Sequence, residues 1–405
     1  MRPIRLTRRR AIVGVLVLAA AVELALAISV LAKDGGGKTP ATALPLHPVA
    51  GSFKPDATSL GSCTGQRCIE QAFGNIAYYR GPTVALQRFD ERYGDFSDPG
   101  CHRVAHAIGS ASLARNKGNV ARTFAQGSSS CFSGYYHGVL ERSLVGVRGY
   151  EPEALGAVAR GLCKEVSVQD SLWLAYQCLH GLGHGLMITT GYTLPLALKV
   201  CDRLTTPWER TSCNGGVFME NISTLYGFKS RWIRDDDPVY PCNSVASDDK
   251  IKCYEIVTSR IVRVEGGDWA KTAEICAGVE KGWSTACFRS LGRDSAGQAH
   301  QDPAKIRDLC ALARPYGGEA TCVTGAAMAM TGNFKSGKRS SAFCNGSPPG
   351  FREGCFYGIG AVMVLYGPTP AKREAHCTSI TTVERYAAQC IRAGNDYLRL
   401  VNAES

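Results

Sequence analysis

Ten cysteines recur along the chain at positions 68, 101, 131, 178, 213, 253, 287, 322, 355 and 390, and their spacing limits the fold more than any other feature. Successive intervals are 33, 30, 47, 35, 40, 34, 35, 33 and 35 residues, a period near 34 that matches one helix-turn-helix unit. A unit of that length cannot bury its apolar face alone, so neighbouring units must stack. The expected fold is an all-α solenoid of about nine to ten helix-turn-helix repeats. The residue three positions after the recurring cysteine is small in most copies: Gly134, Gly181, Gly216, Ser290, Gly325, Gly358 and Ala393. A small residue on a helix face lets a neighbouring helix approach closely.

A second set of cysteines, at 163, 201, 242, 276, 310, 344 and 377, precedes its counterpart by 11 to 15 residues. Around Cys310, Asp302 is placed to cap a helix with Pro303 at its first position, and Ile306, Leu309 and Cys310 then share one face. A Pro-Tyr-Gly-Gly turn at 315–318 leads into the helix carrying Cys322. One cysteine therefore ends the second helix of a repeat, and the next sits in the first helix of the following repeat.

Over about residues 160–405 this arrangement resembles secreted, cysteine-rich members of the tetratricopeptide-like repeat superfamily. The resemblance implies a disulfide at each junction between hairpins: Cys163–Cys178, Cys201–Cys213, Cys242–Cys253, Cys276–Cys287, Cys310–Cys322, Cys344–Cys355 and Cys377–Cys390. It also implies an α-superhelix whose concave face takes a peptide or protein ligand. Cys63, Cys68, Cys101 and Cys131 remain, with Cys63–Cys68 and Cys101–Cys131 as default pairs and their order open. A longer loop between the paired cysteines and a histidine-rich N-terminal part depart from the family pattern, so the family's function does not carry over.

The compartment follows from the N-terminus. Arg2, Arg5, Arg8, Arg9 and Arg10 precede an apolar run from Ala11 to Ala32 in which Glu23 is the one ionisable residue. Twenty-two helical residues span about 33 Å, enough for a bilayer core of about 30 Å. Residues 1–32 are expected to be a transmembrane anchor of a single-pass cell-membrane protein with its arginines inside, or a signal segment cleaved near Val30-Leu31-Ala32 to release a secreted chain. In both cases the remainder is extracytoplasmic, where 18 cysteines read as disulfides. Residues 33–60, rich in Gly, Pro, Thr and Ser, read as a flexible tether to a repeat domain over 61–405. Of the net charge of +11, this N-terminal segment supplies four, and the rest is scattered with no basic stripe, so no nucleic acid is expected as partner.

Five of eight histidines fall between residues 102 and 184, in the first helices of three consecutive repeats. They read Cys101-His102-x-x-x-His106, Cys131 with His137 and Glu141, and Cys178-x-His180-x-x-x-His184. Residues at i and i+4 share a helix face and can grip one ion. Later repeats put Met219, Ser259, Arg293, Met328 and Ala361 at the equivalent place, so the repeat itself does not require histidine.

Helices pack ~8–10 Å apart, so a flat stack would hold the first and third helices roughly 16–20 Å from each other. A site between the second and third helices, from His137, His180 and His184, is therefore expected, with Glu141 as fourth ligand or general base. His102 and His106 would complete a second or bridged site. Three nitrogens sharing one ion at ~2.0–2.1 Å should approach within about 4 Å of each other. Imidazole with carboxylate suits zinc, iron or copper. Glu220 is a candidate acid behind the ligands, and Gly181, Gly183 and Gly185 call for close packing or ligand approach to offset their helix cost of about 1 kcal/mol each. The competing reading is a binding scaffold whose histidines only pack. No GxSxG, HExxH, CxxCH or phosphate-loop motif occurs, so ordinary hydrolase, haem and nucleotide readings lack support. The chain thus divides into a histidine-rich part, 61–212, and structural repeats, 213–405.

Overall fold

The computed structural model describes residues 53–93, 100–128, 130–144, 151–164, 166, 171–222 and 230–403. The apolar run 11–32 and residues 33–52 of the expected tether lie outside them. Among the described residues there is no strand, and no helix is long and apolar enough to cross a membrane. In chain order the helices are α1 (Gln66–Arg80), α2 (Pro82–Tyr93), α3 (Cys101–Arg115), α4 (Val120–Ala125), α5 (Ser130–Leu144), α6 (Pro152–Lys164), α7 (Leu172–Thr189), α8 (Leu194–Cys201) and α9 (Pro207–Ile222). The chain continues through α10 (Ser247–Tyr254), α11 (Thr258–Val264), α12 (Trp269–Gly278), α13 (Ser284–Gln298), α14 (Pro303–Ala311), α15 (Glu319–Phe334), α16 (Gly337–Asn345), α17 (Arg352–Met363), α18 (Pro370–Ile380) and α19 (Glu384–Val401).

The expected solenoid is present. Long helices α1, α3, α5, α7 and α9 pack side by side in that order, and α13, α15, α17 and α19 continue in the same manner. They form the inner layer and the shorter helices the outer one. Burial shows the difference: α3 buries an unbroken run from Val104 to Leu113, whereas α14 buries only Ile306 and Cys310, and α18 only Cys377. A helix buried all round must be flanked on both sides, and the sequence of α3 is accordingly small and apolar around its circumference.

Nine disulfides staple the layers. The seven junction bridges pair as the repeat resemblance implies, and Cys63–Cys68 and Cys101–Cys131 form the remaining two. Cys101–Cys131 differs in kind, because it ties inner helix α3 directly to inner helix α5. The local capping reading also holds: the Asp302 carboxylate accepts from the backbone N–H groups of Ala304 and Lys305, and Gly317 closes the following turn in the left-handed region at φ 69°.

One repeat departs from the pattern. Among the described residues 230–246 before α10 there is no outer helix, since Pro238 and Pro241 flank the stretch leading to Cys242 and remove the backbone donors a helix needs. Its inner helix is broken as well, into α10 and α11. The array also curls back on itself: α19 touches α9, the Trp208 indole N–H donates to the Tyr397 hydroxyl at 3.0 Å, and the rings of Trp173 and Tyr366 lie 4.9 Å apart.

Candidate metal centre

Glycine brings the inner helices close enough for their histidines to meet. A Cβ on Gly138 of α5 would lie 2.0 Å from the His106 carbonyl oxygen of α3, and one on Gly109 would lie 1.9 Å from the Tyr135 oxygen. The pair α7 and α9 repeats the device, with Gly216 facing the His180 carbonyl at 1.8 Å and Gly183 facing that of Cys213 at 2.0 Å. Any side chain at these points would force the backbones apart. Between α5 and α7 the contact is looser, with Gly181 and Gly185 seated over Leu140 and Leu144. Close packing therefore accounts for the three glycines around His184.

Two like constellations result. On α3, the Nε2 atoms of His102 and His106 face each other at 3.1 Å, and on α7 those of His180 and His184 do so at 3.4 Å. The opposite nitrogen of the second histidine meets a carboxylate from the next inner helix: His106 Nδ1 lies 3.2 Å from Glu141 Oε2 on α5, and His184 Nδ1 lies 2.7 Å from Glu220 Oε2 on α9. Glu220 is itself oriented by the Tyr192 hydroxyl, which donates to its Oε1 at 2.8 Å. His102 Nδ1 is 2.9 Å from the Cys131 carbonyl, so it donates there. A ring that donates through Nδ1 keeps its Nε2 lone pair for a ligand, which is how carboxylates and carbonyls behind a metal-binding histidine fix its tautomer.

His137 of α5 stands between the two constellations. Its ligand atom, with those of His102 and His106, forms one group within 4.8 Å, and with those of His180 and His184 a second. In the first group the three rings are mutually inclined at 65°, 70° and 74°. In the second, His137 stacks on His184 with centroids 3.9 Å apart and planes 21° apart. The expected convergence within about 4 Å is met by the pairs on one helix, and the ligand atoms of each three-histidine group lie within 4.8 Å of one another. The expected group of His137, His180 and His184 between α5 and α7 is present, and His102 and His106 join His137 in a second group. Glu141 belongs to neither group; its Oε2 lies behind His106. His300 is exposed and His376 partly so, away from this cluster.

Electrostatics favour uncharged ligands. His106 and His137 are buried to 0% and 1% exposure, Glu141 to 2%. Burial holds His102 down to about 4, and burial together with the neighbouring imidazoles holds His137 and His180 well below the usual histidine range. Burial, with the charge of Glu220 adding to it, pushes the Glu141 carboxyl well above its ordinary value. Neutral imidazoles in a dry interior are the form in which nitrogen donates a lone pair to a metal. These buried groups could hold a metal ion.

The centre has an opening. His180 lines a groove of about 250 Å³ together with Tyr176, Lys252, Glu255, Arg289 and Arg293. Burial disfavours a charge on Lys252, but Glu255 at 2.8 Å outweighs it and keeps the ammonium protonated; Arg289 reaches the same carboxylate at 3.1 Å. A larger hollow of about 540 Å³ opens on the outer side between α6 and the segment before α9, lined by Arg160, Lys164 and Glu209 but by none of the five histidines.

Sequence reasoning missed the Cys131 carbonyl and Tyr192 as orienting groups. One signal pointed to the carboxylates: Glu141 follows His106 by 35 residues and Glu220 follows His184 by 36, each about one repeat, which places both acids beside a histidine of the preceding inner helix. No family model, no curated protein and no solved structure matches this chain.

Proposed function

We propose that this chain is an extracytoplasmic metalloprotein that holds a transition-metal ion, zinc, iron or copper, among His102, His106, His137, His180 and His184, and presents it to a peptide or small molecule bound in the adjoining groove. The observation that carries this reading is the nitrogen arrangement: oxygen atoms face Nδ1 of His102, His106 and His184, and the paired Nε2 atoms are aimed at each other at 3.1 and 3.4 Å. At bond lengths of ~2.05 Å those separations subtend about 100° to 110° at a shared ion, near the tetrahedral angle. Without an ion, the two Nε2 atoms of a pair hydrogen-bond only if one ring gives up the N–H that it points at the oxygen behind it. The groove supports a ligand with an acidic group, because Lys252, Arg289 and Arg293 outnumber Glu255 along its wall. The membrane anchor or signal of residues 1–32 is part of the same proposal, since disulfides and exported metal sites belong to one compartment.

Metal analysis of protein exported into an oxidising compartment tests it. At least one transition-metal ion per chain is expected, and none in a variant with His102, His106, His180 and His184 all changed to alanine. Equal metal in that variant, with its helicity intact, would overturn the proposal. A scaffold reading is favoured by the same cationic groove taken alone. It expects an acidic peptide to bind chelator-stripped and metal-loaded protein equally, whereas the metalloprotein reading expects stripped protein to bind it more weakly.

A further inference from the structure

We infer that the centre is dinuclear and that His137 bridges two ions, one held with His102 and His106 and the other with His180 and His184. This rests on the metal-binding reading and deepens it. A neutral imidazole carries one N–H and one lone pair, so a buried ring needs two partners. His102, His106 and His184 each have an oxygen acceptor on Nδ1. His180 Nδ1 is also buried without a hydrogen-bond partner, but its Nε2 meets that of His184 at 3.4 Å. His137 alone among the five has neither nitrogen satisfied: Nδ1 and Nε2 are both buried and without a hydrogen-bond partner. Leaving both atoms bare in a dry interior is costly, and four other imidazole rings lie around this one.

One ion would satisfy one nitrogen and leave the other orphaned. Two ions satisfy both. The placement fits, because His137 belongs to both groups within ligand reach and each group supplies two further Nε2 atoms from a single helix. When the second ion binds, a metal–nitrogen bond replaces the remaining N–H bond of His137, and that proton leaves to solvent. No oxidant or other reactant is required.

The two sites differ in readiness. The first group already has its three rings inclined at 65° to 74°. In the second, the parallel planes of His137 and His184 direct their lone pairs alongside each other, so one ring must turn before both can bind the same ion. Loading is therefore sequential, with the His102, His106 and His137 site filled first.

Copper(II) added to the chelator-stripped, disulfide-bonded protein tests this by stoichiometry and by electron paramagnetic resonance. Two ions should bind per chain. The signal should grow to one equivalent and then fall as the second arrives, because an imidazolate bridge couples the two spins antiferromagnetically. His106→Ala and His184→Ala should each reduce binding from two ions to one and abolish the coupling, and His137→Gln should leave no coupled pair. Two ions with full, uncoupled intensity in the unaltered protein would overturn the bridge, as would saturation at one ion, which leaves the metal-binding reading intact. No bound copper or zinc at all would overturn both. Should His137→Gln lose its helical circular dichroism, the two alanine variants carry the test.

Discussion

Glu220 holds His184 from the next inner helix, meeting Nδ1 at 2.7 Å while Tyr192 steadies its other oxygen. Glu220→Gln keeps the shape but weakens the acceptor. Metal affinity, measured by competition with a chromophoric chelator, should fall by about 10–100-fold while helicity is retained. A second carboxylate reports on stability instead. Burial, reinforced by Asp202 and Asp248, pushes Asp249 from 3.8 up to about 6. The folded chain then binds its proton more tightly than the unfolded chain, so this residue's contribution falls as pH rises from about 4 to 6. Asp249→Asn retains an acceptor for the Asn214 amide, which now donates at 2.7 Å. The variant should gain in thermal midpoint relative to the unaltered protein between pH 4 and 7, and an unchanged difference across that range would contradict the assignment. At this scale the sequence showed the five histidines by their i,i+4 spacing. It hid the Cys131 carbonyl, because that group's direction depends on a left-handed backbone at φ 49° that no residue type there announces.

At the scale of helices, the centre exists because glycines let α3 meet α5 and α7 meet α9 at backbone contact. Gly216→Ala places a methyl 1.8 Å from the His180 oxygen, and relieving that clash should cost about 2–3 kcal/mol in denaturant unfolding and lower metal affinity, as His180 shifts. Gly161→Ala is the control: nothing lies within 4 Å of its added Cβ on the exposed face of α6, so it should stabilise by about 0.5–1 kcal/mol. The period of the cysteines made the order of helices and their junction bridges legible, and Asp302 made a helix start legible residue by residue. The broken repeat was not, because the recurring Cys253 keeps the register while Pro238 and Pro241 remove the preceding outer helix. Likewise Glu141 reads in sequence as a partner of His137 one turn away on the same helix, and across helices it belongs to His106.

For the whole molecule, curvature decides what the inner face can enclose. Contact between α9 and α19 brings the last inner helix back to the fifth and closes the array. Trp208 and Tyr397, 189 residues apart in sequence, hold that closure through one hydrogen bond. A double-mutant cycle with Trp208→Phe and Tyr397→Phe should give a coupling of about 1 kcal/mol, and a value near zero would mean that packing alone closes the array. Repeat length cannot foretell this closure, because curvature accumulates from the side chains at every helix interface. Metal-edge X-ray absorption on the exported protein reports on the ion held by buried imidazoles inside the disulfide-stapled solenoid. A shell of imidazole nitrogens at ~2.0–2.1 Å is expected, absent when His102, His106, His180 and His184 are alanine. A metal-free protein, or an ion surrounded by oxygen without imidazole scattering, would contradict it.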